Sequence, residues 1–458
     1  MPDKPLSIVI LAAGKGTRMR SALPKVLQPL AGKPLLRHVV ETSRSIGAEE
    51  LCVVYGHGGD TVQDAFADDG LSWALQEPQL GTGHAVQQAM PHVSAGNTVI
   101  VLYGDVPMVT AGLISRLADA TDGGKLALVT VDAEKPHGLG RIIRNDSGEI
   151  QAIVEEKDAS DEQRKISEVN TGLLACPANL IGPWLDALKA DNAQEEYYLT
   201  DVIAAAVADG VAVEAVKADS ETEVMGINDK VQLAEAERAL QKRRVEELMR
   251  AGATVADPAR VDIRGTVTIG QDVFIDINAV FEGDVELGDN VRIGPNCVIG
   301  NSKVAAGTEI HANCVLEDAI VGENCNVGPY ARLRPNANLL EGAKVGNFVE
   351  LKNTTLGVGS KANHLTYLGD AEIGSGVNVG CGTITCNYDG ANKHKTIIGD
   401  NAFIGSGVEL VAPVDIGEGA TIGAGSTFGG SAPAGKLTLE RAKTRTVEGW
   451  KRPVKKPK

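Results

Sequence analysis

A glycine-rich loop near the amino terminus has the residue types that bind a phosphate chain. The apolar run Ser7–Leu11 leads directly into the sequence AAGKGTRM, and the tripeptide LPK follows shortly after it. Gly14 and Gly16 let backbone N–H groups approach phosphate oxygens closely, and Arg18 and Lys25 supply the cations that a triphosphate needs. The spacing is neither G-x-G-x-x-G nor a Walker A motif, so it indicates a nucleotide-binding loop of another kind.

A second set of reactive side chains lies in the last third of the chain. The segments KANHLTYLGD (361–370) and CGTITCNYDGANKHKT (381–396) combine histidine, tyrosine, lysine and asparagine. The imidazole of His364 suits a general base, because an unperturbed imidazole titrates near neutral pH. From the residues alone, a hydrogen-bonded structural histidine is the more common outcome at such a position, and His394 stays open. His311 follows a core aliphatic residue in a regular repeat and is expected to be structural.

The elements around the glycine-rich loop predict an α/β domain. From Leu6 to about Met225, short β-branched runs alternate with helical patterns. Continuous apolar runs are typical of parallel strands buried on both faces. We therefore predict a doubly wound, Rossmann-like α/β domain with its site at the carboxyl ends of the strands. The predicted strands are Ser7–Leu11, Leu51–Tyr55, Thr98–Leu102 and Leu126–Val131, and the clearest helices are Leu35–Ser45 and Ala111–Ala120.

A long helix is predicted after this domain. Residues 228–250 are rich in Ala, Glu, Gln, Leu, Lys and Arg, which all favour helix. Asn228 or Asp229 is a plausible N-cap, and Gly252 is a plausible stop. We expect one exposed helix that links two domains, with boundaries at 1–230, 231–251 and 252–458.

The second half of the chain repeats with a period of six residues. A small residue follows nearly every large one four positions later. Each unit reads as one short strand and one corner, three units close a triangular coil, and stacked coils bury a continuous aliphatic core. The large residues form three runs: Ile269, Ile275, Phe281, Leu287, Ile293 and Ile299; Val321, Val327, Leu333, Leu339, Val345 and Leu351; Ile398, Ile404, Leu410, Ile416 and Ile422.

The repeat explains two features of the composition. Aromatic residues make up only 3% of the chain, and an interior too narrow for rings would account for this. Cys297, Cys314 and Cys325 occupy the small-residue position, so we expect them to be core residues. The register breaks around Leu356–Ile373 and Thr383–Ile398, and insertions in such a solenoid map to loops on one face, often the functional one.

Charge and composition exclude several classes of protein. The net charge of −16 argues against coating nucleic acid, and no apolar run reaches the roughly 20 residues of a membrane span. Seven cysteines without a CxxC pair indicate neither a disulfide framework nor a zinc site, which favours the cytoplasm. The five cations of Lys451–Lys458 are most simply a solvated tail.

The first half resembles the nucleotidyltransferases that make nucleoside-diphosphate sugars. LAAGKGTRM with LPK, QEPQLGTGHA (76–85), YGDVP (103–107) and EVNTG (168–172) carry the resemblance and favour the uridylyl-transferring branch. It implies that the uridine side is held by Leu11, Ala12, Ala13, Gly14, Gln76, Gly81 and Thr82, the sugar by Tyr103, Gly104, Gly140, Glu155 and Asn170, the phosphates by Arg18 and Lys25, and Mg²⁺ by Asp105 and Asn228.

The whole chain resembles the family of bifunctional bacterial N-acetylglucosamine-1-phosphate uridylyltransferases/glucosamine-1-phosphate N-acetyltransferases. The second-half signatures are RLRPNA, GNFVELKN, NHLTYLGDAEIG and GTITCNYDGANKHKT, and the family's β-helix is left-handed. The resemblance implies that His364 is the catalytic base. It also implies that Arg334, Lys352, Tyr367 and Asn378 hold glucosamine 1-phosphate, and that Cys381, Asn387, Tyr388, Ser406, Ala424 and Arg441 lie at the acetyl-CoA site.

The resemblance implies two consecutive reactions. Acetyl-CoA would acetylate glucosamine 1-phosphate, and UTP would then convert N-acetylglucosamine 1-phosphate into UDP-N-acetylglucosamine for peptidoglycan and lipopolysaccharide synthesis. A homotrimer with acetyl sites between neighbours is expected. Two alternatives remain: a single-activity pyrophosphorylase with a structural β-helix, which an intact His364 opposes, and a non-catalytic scaffold, which the retained Lys25 and Asp105 oppose. Cys381 stands where the family commonly has alanine, so its thiol is expected to face the acetyl site.

Overall fold

The computed structural model describes residues 5–56, 59–192 and 194–455. The chain divides into two compact units, an N-terminal unit of residues 1–240 and a C-terminal unit of residues 241–458. None of the helices within the described residues is long and apolar enough to cross a membrane. Residues 456–458 of the predicted basic tail lie outside the described residues, and residues 451–455 are exposed.

The N-terminal unit is an α/β domain whose strands follow the predicted apolar runs. Its strands are β1 (Leu6–Leu11), β2 (Pro29–Leu30), β3 (Lys33–Pro34), β4 (Glu50–Tyr55), β5 (Ser72–Leu75), β6 (Thr98–Tyr103), β7 (Leu126–Asp132), β8 (Arg141–Arg144), β9 (Ile150–Val154), β10 (Glu168–Pro177) and β11 (Val213–Lys217). Its helices are α1 (Leu35–Ser45), α2 (Gly59–Asp64), α3 (Thr82–Ala89), α4 (Ala111–Asp119), α5 (Ala178–Asp186) and α6 (Asp201–Ala208), and α7 (Lys230–Arg250) follows.

The main sheet has the order β11-β7-β10-β6-β1-β4-β5 and carries apolar layers on both faces. Alternate residues of β1 pack against opposite layers. Ile8 and Ile10 pack with α1 and α4 on one face. Val9 and Leu11 pack with α3, α5 and α6 on the other face. Side chains along a strand alternate between faces, so a strand covered on both sides must be apolar throughout. The predicted doubly wound fold class is confirmed.

The sheet is mixed rather than wholly parallel. β10 lies antiparallel between β6 and β7, and β8 and β9 form a hairpin beside it. The pairing of β10 with β7 shifts register between Asn170 and Leu174. The polar sequence EVNTG at the start of β10 interrupts the apolar pattern that identified the other strands.

Helix α7 is not an exposed linker along its length. Ala236 and Leu240 join an apolar cluster of the N-terminal unit, and Val245 and Leu248 join the core of the C-terminal unit. Gln241 is buried as well, and its side chain exchanges hydrogen bonds with the backbone of Ile263. The helix is thus structural for each unit.

The C-terminal unit is a parallel β-helix of short strands. They are β12 (Thr254–Val255), β13 (Val261–Ile269), β14 (Phe274–Ile275), β15 (Ala279–Leu287), β16 (Arg292–Ile293), β17 (Val298–Gly300), β18 (Lys303–Val304), β19 (Glu309–Ile310), β20 (Val315–Glu317), β21 (Ile320–Val321), β22 (Asn326–Val327), β23 (Arg332–Leu333), β24 (Ala337–Leu339), β25 (Lys344–Leu356), β26 (Lys361–Ile373), β27 (Asn378–Val379), β28 (Ile384–Cys386), β29 (Thr396–Ile398), β30 (Phe403–Ile404), β31 (Glu409–Ile416), β32 (Thr421–Ile422), β33 (Thr427–Ala432) and β34 (Leu437–Thr438).

Both tracks of the six-residue repeat fill one continuous core, as predicted. Cys297, Cys314 and Cys325 are buried in it. The expectation that the interior excludes rings was wrong, because Phe281 is only 1% exposed in that core. The coil therefore accommodates an aromatic ring at a large-residue position of the repeat.

The two register breaks differ in kind. The first was wrongly read as an insertion: β25 and β26 pair without interruption from Lys344–Lys361 to Leu356–Ile373, and the coil is shortened to 17 residues. The second is a real insertion, because Ile373 pairs with Ile398, 25 residues later. Only the second break therefore adds a loop, residues 387–395.

Candidate active sites

The N-terminal unit contains a cavity of about 1230 Å³ beside the carboxyl ends of β1 and β6. The glycine-rich loop forms one wall and the start of α3 forms another. Ten of the residues expected to bind substrate line it: Leu11, Ala12, Ala13, Gly14, Lys25, Gln76, Gly81, Thr82, Tyr103 and Asp105. The Gly104 N–H donates to the Leu11 carbonyl at 2.9 Å, and Gly104 lies between the lining residues Tyr103 and Asp105. Arg18, by contrast, is exposed on the turn beyond the loop and is not part of the lining.

Gly16 has a structural reason to be glycine. Its φ of +57° lies in the left-handed region, and a Cβ there would approach the Lys25 Cβ to 2.6 Å. The residue therefore brings the loop against Lys25. Gly14, by contrast, has open space around it, which leaves room for a ligand at the loop.

Lys25 joins two predicted metal ligands at the cavity. Its ammonium forms an ion pair with Asp105 and donates a hydrogen bond to Asn228 Oδ1 at 3.2 Å. The side chains of Lys25 and Asp105 are 12% and 16% exposed. Asp229, rather than Asn228, caps α7 by accepting the N–H groups of Val231 and Gln232. The Asn228 side chain is thereby free of the capping role.

The oxygens of Asp105 and Asn228 fit Mg²⁺ chemistry. Both contact one Lys25 nitrogen, so they lie within a few ångströms of each other. Mg²⁺ in nucleotide enzymes is bound by one or two protein oxygens together with substrate phosphates and water. No group of three or more His, Cys, Asp or Glu residues that could hold a metal occurs in the described part of the chain.

A second group of predicted residues gathers around the hairpin β8–β9. The N–H of Asn170 donates to the Gly140 carbonyl at 2.8 Å. A Cβ at Gly140 would lie 3.4 Å from the Glu155 carboxylate and 2.8 Å from Ile153, so a side chain cannot be added there without displacement. Tyr103 connects this group to the cavity, because its ring packs against Gly172 just after Asn170.

The electrostatics of this group favour neutral or hydrogen-bonded forms. Burial raises the pKa of Glu155, the Thr200 hydroxyl at 3.2 Å opposes the rise, and Asp158 and Asp201 add to it. Burial, with Asp105 and Glu155, also raises the pKa of Tyr103, which therefore stays a phenol. These groups can accept and donate hydrogen bonds to the hydroxyls of a sugar.

The sequence did not single out Gln79 or Glu196, which also line the cavity. The Gln79 side-chain amide donates to the Ala13 carbonyl. Gly56 makes room for this amide, because a Cβ at position 56 would lie 2.2 Å from its nitrogen. Gln79 lies inside the quoted QEPQLGTGHA motif, so the signal was present. Nothing local marks Glu196.

In the C-terminal unit, four predicted residues converge on one face and its corner. Arg334 and Lys352 lie on successive coils, linked by the bond from Arg334 N–H to the Leu351 carbonyl. Tyr367 and Asn387 both approach Gly369, which pairs with Lys352: a Cβ at Gly369 would lie 2.4 Å from the Tyr367 hydroxyl and 2.8 Å from Asn387 Nδ2.

The inserted loop brings a further cation to this face. The Lys393 ammonium, followed by Arg334, lowers the pKa of Lys352, which shows three cations near one another. A bridge between Tyr388 and Lys393 and a bond from His394 N–H to the Asn387 carbonyl make the loop a hairpin. Such a cluster suits a phosphate group. Lys393 was not among the predicted site residues, although it lies in a quoted signature.

His364 lies at another corner of the coil, above the predicted acetyl-CoA residues. Its Nδ1 is 3.0 Å from Asn347 Oδ1, and the residue is exposed. The next coils carry Cys381, Ser406 and Ala424 at equivalent corners, linked by backbone bonds from Gly407 to Cys381 and from Gly425 to Ser406. Arg441 approaches this column at Gly423, where a Cβ would lie 3.2 Å from its Nη2.

Cys381 is exposed, as expected for a thiol outside the inward positions. Of the four residues predicted to hold glucosamine 1-phosphate, Asn378 lies apart from Arg334, Lys352 and Tyr367. It pairs with Lys361 and Phe403, whereas Tyr367 pairs with Glu350 and Ile384, so the two lie on different faces of the coil. The residues predicted to hold glucosamine 1-phosphate are therefore divided between two faces of the chain.

Comparison with protein families agrees with this division into two kinds of site. Residues 8–255 match the MobA-like NTP transferase domain. Residues 263–356 match the GMPPB C-terminal domain, and residues 395–430 match the bacterial transferase hexapeptide family of six repeats. The two chemically distinct units thus correspond to two classes of transferase.

Relatives are similar over almost the whole chain. "Bifunctional protein GlmU" of Azoarcus sp. (strain BH72) is 54% identical over 450 residues, which cover 98% of this chain and 100% of the relative. The protein of the same name from Alkalilimnicola ehrlichii is 55% identical over 455 residues, which cover 99% of this chain and 98% of the relative. With this identity over both units, the chain belongs to the GlmU family of bifunctional proteins.

Proposed function

We propose that the two units carry out consecutive steps in the synthesis of UDP-N-acetylglucosamine. The C-terminal unit acetylates glucosamine 1-phosphate with acetyl-CoA, and the N-terminal unit transfers a uridylyl group from UTP to the product with release of pyrophosphate. The protein is a bifunctional uridylyltransferase and acetyltransferase. The observation that carries the proposal is that this chain is similar to a bifunctional GlmU protein over 98% of its length and gathers a separate set of predicted site residues in each unit.

The uridylyl step needs positioning and charge neutralisation rather than a protein nucleophile. An oxygen of N-acetylglucosamine 1-phosphate attacks the α-phosphorus of UTP in line, and the bond from that phosphorus to the bridging oxygen breaks. Lys25 neutralises charge on the phosphates, and the glycine-rich loop orients them. Asp105 and Asn228 would hold Mg²⁺, which when bound supplies further charge neutralisation. Gly140, Glu155 and Asn170 orient the sugar.

The acetyl step needs a base, because the sugar ammonium must lose a proton before it attacks the thioester. His364 Nε2 takes this proton, and Asn347 orients the ring through Nδ1. The amine nitrogen forms a bond to the acetyl carbon, the carbon–sulfur bond breaks, and the thiolate leaves and receives a proton. Arg334, Lys352 and Tyr367 hold the sugar phosphate and amine.

We further propose that the acetyl site is completed by a neighbour in a homotrimer. Tyr330, Phe348 and Leu365 form an apolar corner column on successive coils and are 52%, 55% and 61% exposed. The first two rings stack with centroids 5.3 Å apart. An exposed apolar column beside His364 suits a subunit contact, and a contact there would bring a neighbour's residues to the divided sugar site.

The compartment follows from the chemistry. All seven cysteines are free, which suits a reducing compartment. UTP and acetyl-CoA are co-substrates that are available in the cytoplasm, so we place the enzyme there.

Product analysis with single-reagent omission tests the two-step function. The purified chain is incubated with glucosamine 1-phosphate, acetyl-CoA, UTP and Mg²⁺, and each is left out in turn. We expect UDP-N-acetylglucosamine only in the complete mixture, N-acetylglucosamine 1-phosphate without UTP, and no nucleotide sugar without acetyl-CoA unless N-acetylglucosamine 1-phosphate is added. If acetyl-CoA is not consumed, the two-step function is wrong.

A further inference from the structure

Arg141 is a buried cation that the proposed reaction does not use. It is 1% exposed at the start of β8, and its guanidinium donates to the Leu139 carbonyl, to Glu156 Oε2 at 2.7 Å and to the Arg164 carbonyl at 3.3 Å. Its Nε has no partner within the described residues. A buried guanidinium is costly unless it is paired, so this arrangement persists only because Glu156 and two carbonyls surround it.

Both partners of this ion pair are sequence neighbours of predicted sugar-binding residues. Arg141 directly follows Gly140, and Glu156 directly follows Glu155. The guanidinium also holds the Leu139 carbonyl, and Glu156 accepts the N–H of Gly138 at 3.2 Å. The pair therefore ties the loop before β8 to the segment after β9 from both sides.

The loop that carries Gly140 is held by that connection in addition to the backbone pairing of Arg141 with Val154 and Val169. Gly140 accepts the Asn170 N–H and faces the Glu155 carboxylate, and Ile153 leaves no room for a side chain there. The Gly140 carbonyl accepts a backbone N–H from β10, and the Glu155 carboxylate accepts the Thr200 hydroxyl. The ion pair is a side-chain contact that joins the Gly140 loop directly to the Glu155 segment.

We propose that Arg141 and Glu156 are positioning residues that set the affinity of the uridylyl site for its sugar phosphate. The pair touches no substrate atom itself. It fixes Gly140 against Glu155, so that a sugar 1-phosphate is held for in-line attack, and it leaves the uridine side of the cavity untouched. This inference rests on the proposed function of the N-terminal unit.

The location of the pair predicts a selective kinetic effect. Gln76, Gly81 and Thr82, on the uridine side, belong to the segment that leads into α3, and the hydrogen bonds described for them join Gln76 to Gly81 and Thr82 to Leu199 rather than to Arg141 or Glu156. A small misplacement of binding groups lowers catalysis up to about a hundredfold, so a shift of Gly140 should act on the sugar phosphate and not on UTP. We expect the KM for N-acetylglucosamine 1-phosphate to rise by about tenfold.

The test compares Glu156→Gln and Arg141→Lys with the full-length wild-type chain. Glu156→Gln keeps an acceptor but removes the charge, and Arg141→Lys keeps the charge but loses the planar fork. The KM values for N-acetylglucosamine 1-phosphate and for UTP are measured separately, together with kcat. Acetyl transfer by the same preparation is the internal control. Arg144→Lys is the matched variant, because Arg144 lies on the same strand and forms a half-exposed ion pair with Glu168.

A rise confined to the sugar-phosphate KM in both variants, with UTP KM and acetyl transfer within twofold of wild type and Arg144→Lys unchanged, supports the proposal. Equal rises in both KM values, or unchanged values in a folded variant, overturn it. If Arg141→Lys fails to fold, Glu156→Gln alone decides between these outcomes. If the wild-type chain forms no nucleotide sugar, the proposed function itself fails, which is a separate result from a variant without selectivity.

Discussion

The two units bind phosphate-bearing substrates in different ways. The N-terminal unit lines one cavity with predicted site residues from β1, β6 and the start of α3, because the strands of a doubly wound sheet end at one edge, and Tyr103 connects this cavity to the group around the hairpin β8–β9. The C-terminal unit spreads its residues along columns and over separate faces, because each coil adds one copy of a corner. The sheet thus gathers its predicted site residues at one edge, whereas the solenoid leaves its predicted site residues on separate faces.

Removing the base from the solenoid gives the largest separation of the two activities. We expect His364→Ala to lower kcat for acetyl transfer by about 10²- to 10⁴-fold, because it removes the only proton acceptor that the proposal uses. Uridylyl transfer from UTP to N-acetylglucosamine 1-phosphate should stay unchanged. His311→Ala is the control, since His311 contacts Asn326 on a regular coil. Full acetyl transfer in His364→Ala would favour a single-activity pyrophosphorylase.

The reverse separation follows from the cavity. Asp105→Asn removes a charge that pairs with Lys25, and we expect kcat for uridylyl transfer to fall by about 10²- to 10³-fold, while acetyl transfer is retained. Pyrophosphate release measures the first activity. Asp132→Asn is the control, because Asp132 also ends a strand but pairs with Lys217 at the surface. A loss of both activities would show that the units are not independent.

The subunit contact should matter for one site only. Phe348→Ser removes an exposed ring from the apolar column, and we expect weaker trimerisation with a parallel loss of acetyl transfer of about tenfold at low protein concentration. Uridylyl transfer should not depend on protein concentration. Light scattering and both assays are run on the same dilution series, with Val231→Ser, another exposed apolar residue, as the control. A fully active monomer would contradict a shared acetyl site.

Cysteine labelling is expected to separate the two activities by a smaller factor. A bulky maleimide should react with exposed Cys381 and spare Cys297, Cys314 and Cys325, which are buried in the coil. We expect a several-fold loss of acetyl transfer and no change in uridylyl transfer. The Cys381→Ser variant should resist the reagent. Unchanged acetyl transfer after labelling of Cys381 is confirmed by mass would show that the thiol lies outside the site.

Sequence patterns predicted the structural features that depend on residues close together in the chain. The strands around the glycine-rich loop were visible as apolar runs, and the core of the β-helix was visible as two coupled tracks of period six, including the three buried cysteines. The antiparallel strand β10 was missed because EVNTG reads as a turn, and its pairing is set by strands about 40 and 70 residues away in sequence. The interruption near Leu356 was misread because a 17-residue coil and an inserted loop both disturb the period.

Contacts between distant residues could not be derived from spacing. Lys25 meets Asn228 across 203 residues, and only the family resemblance placed them together before the structure did. Arg141 and Glu156 carry no motif, since nothing in the sequence shows that this arginine is buried. Predicting that Asn378 and Tyr367 lie on different faces also requires the actual length of each coil, because a change of one residue shifts every later corner.

The smallest expected effect is on the stability of the N-terminal unit, which the buried Glu155 carboxylate lowers. Burial, with Asp158 and Asp201, raises the pKa of Glu155, so the folded unit disfavours its charged form and loses stability as pH rises above the ordinary value of 4.5. Glu155→Gln removes this charge and should raise the Tm of the N-terminal transition by about 2 °C at pH 7, with the difference shrinking toward pH 4. Scanning calorimetry across this range measures it, with exposed Glu162→Gln as control. A difference that does not vary with pH would exclude the burial of Glu155 as its cause, and an accompanying rise in the KM for the sugar phosphate would show that this charge is kept for binding.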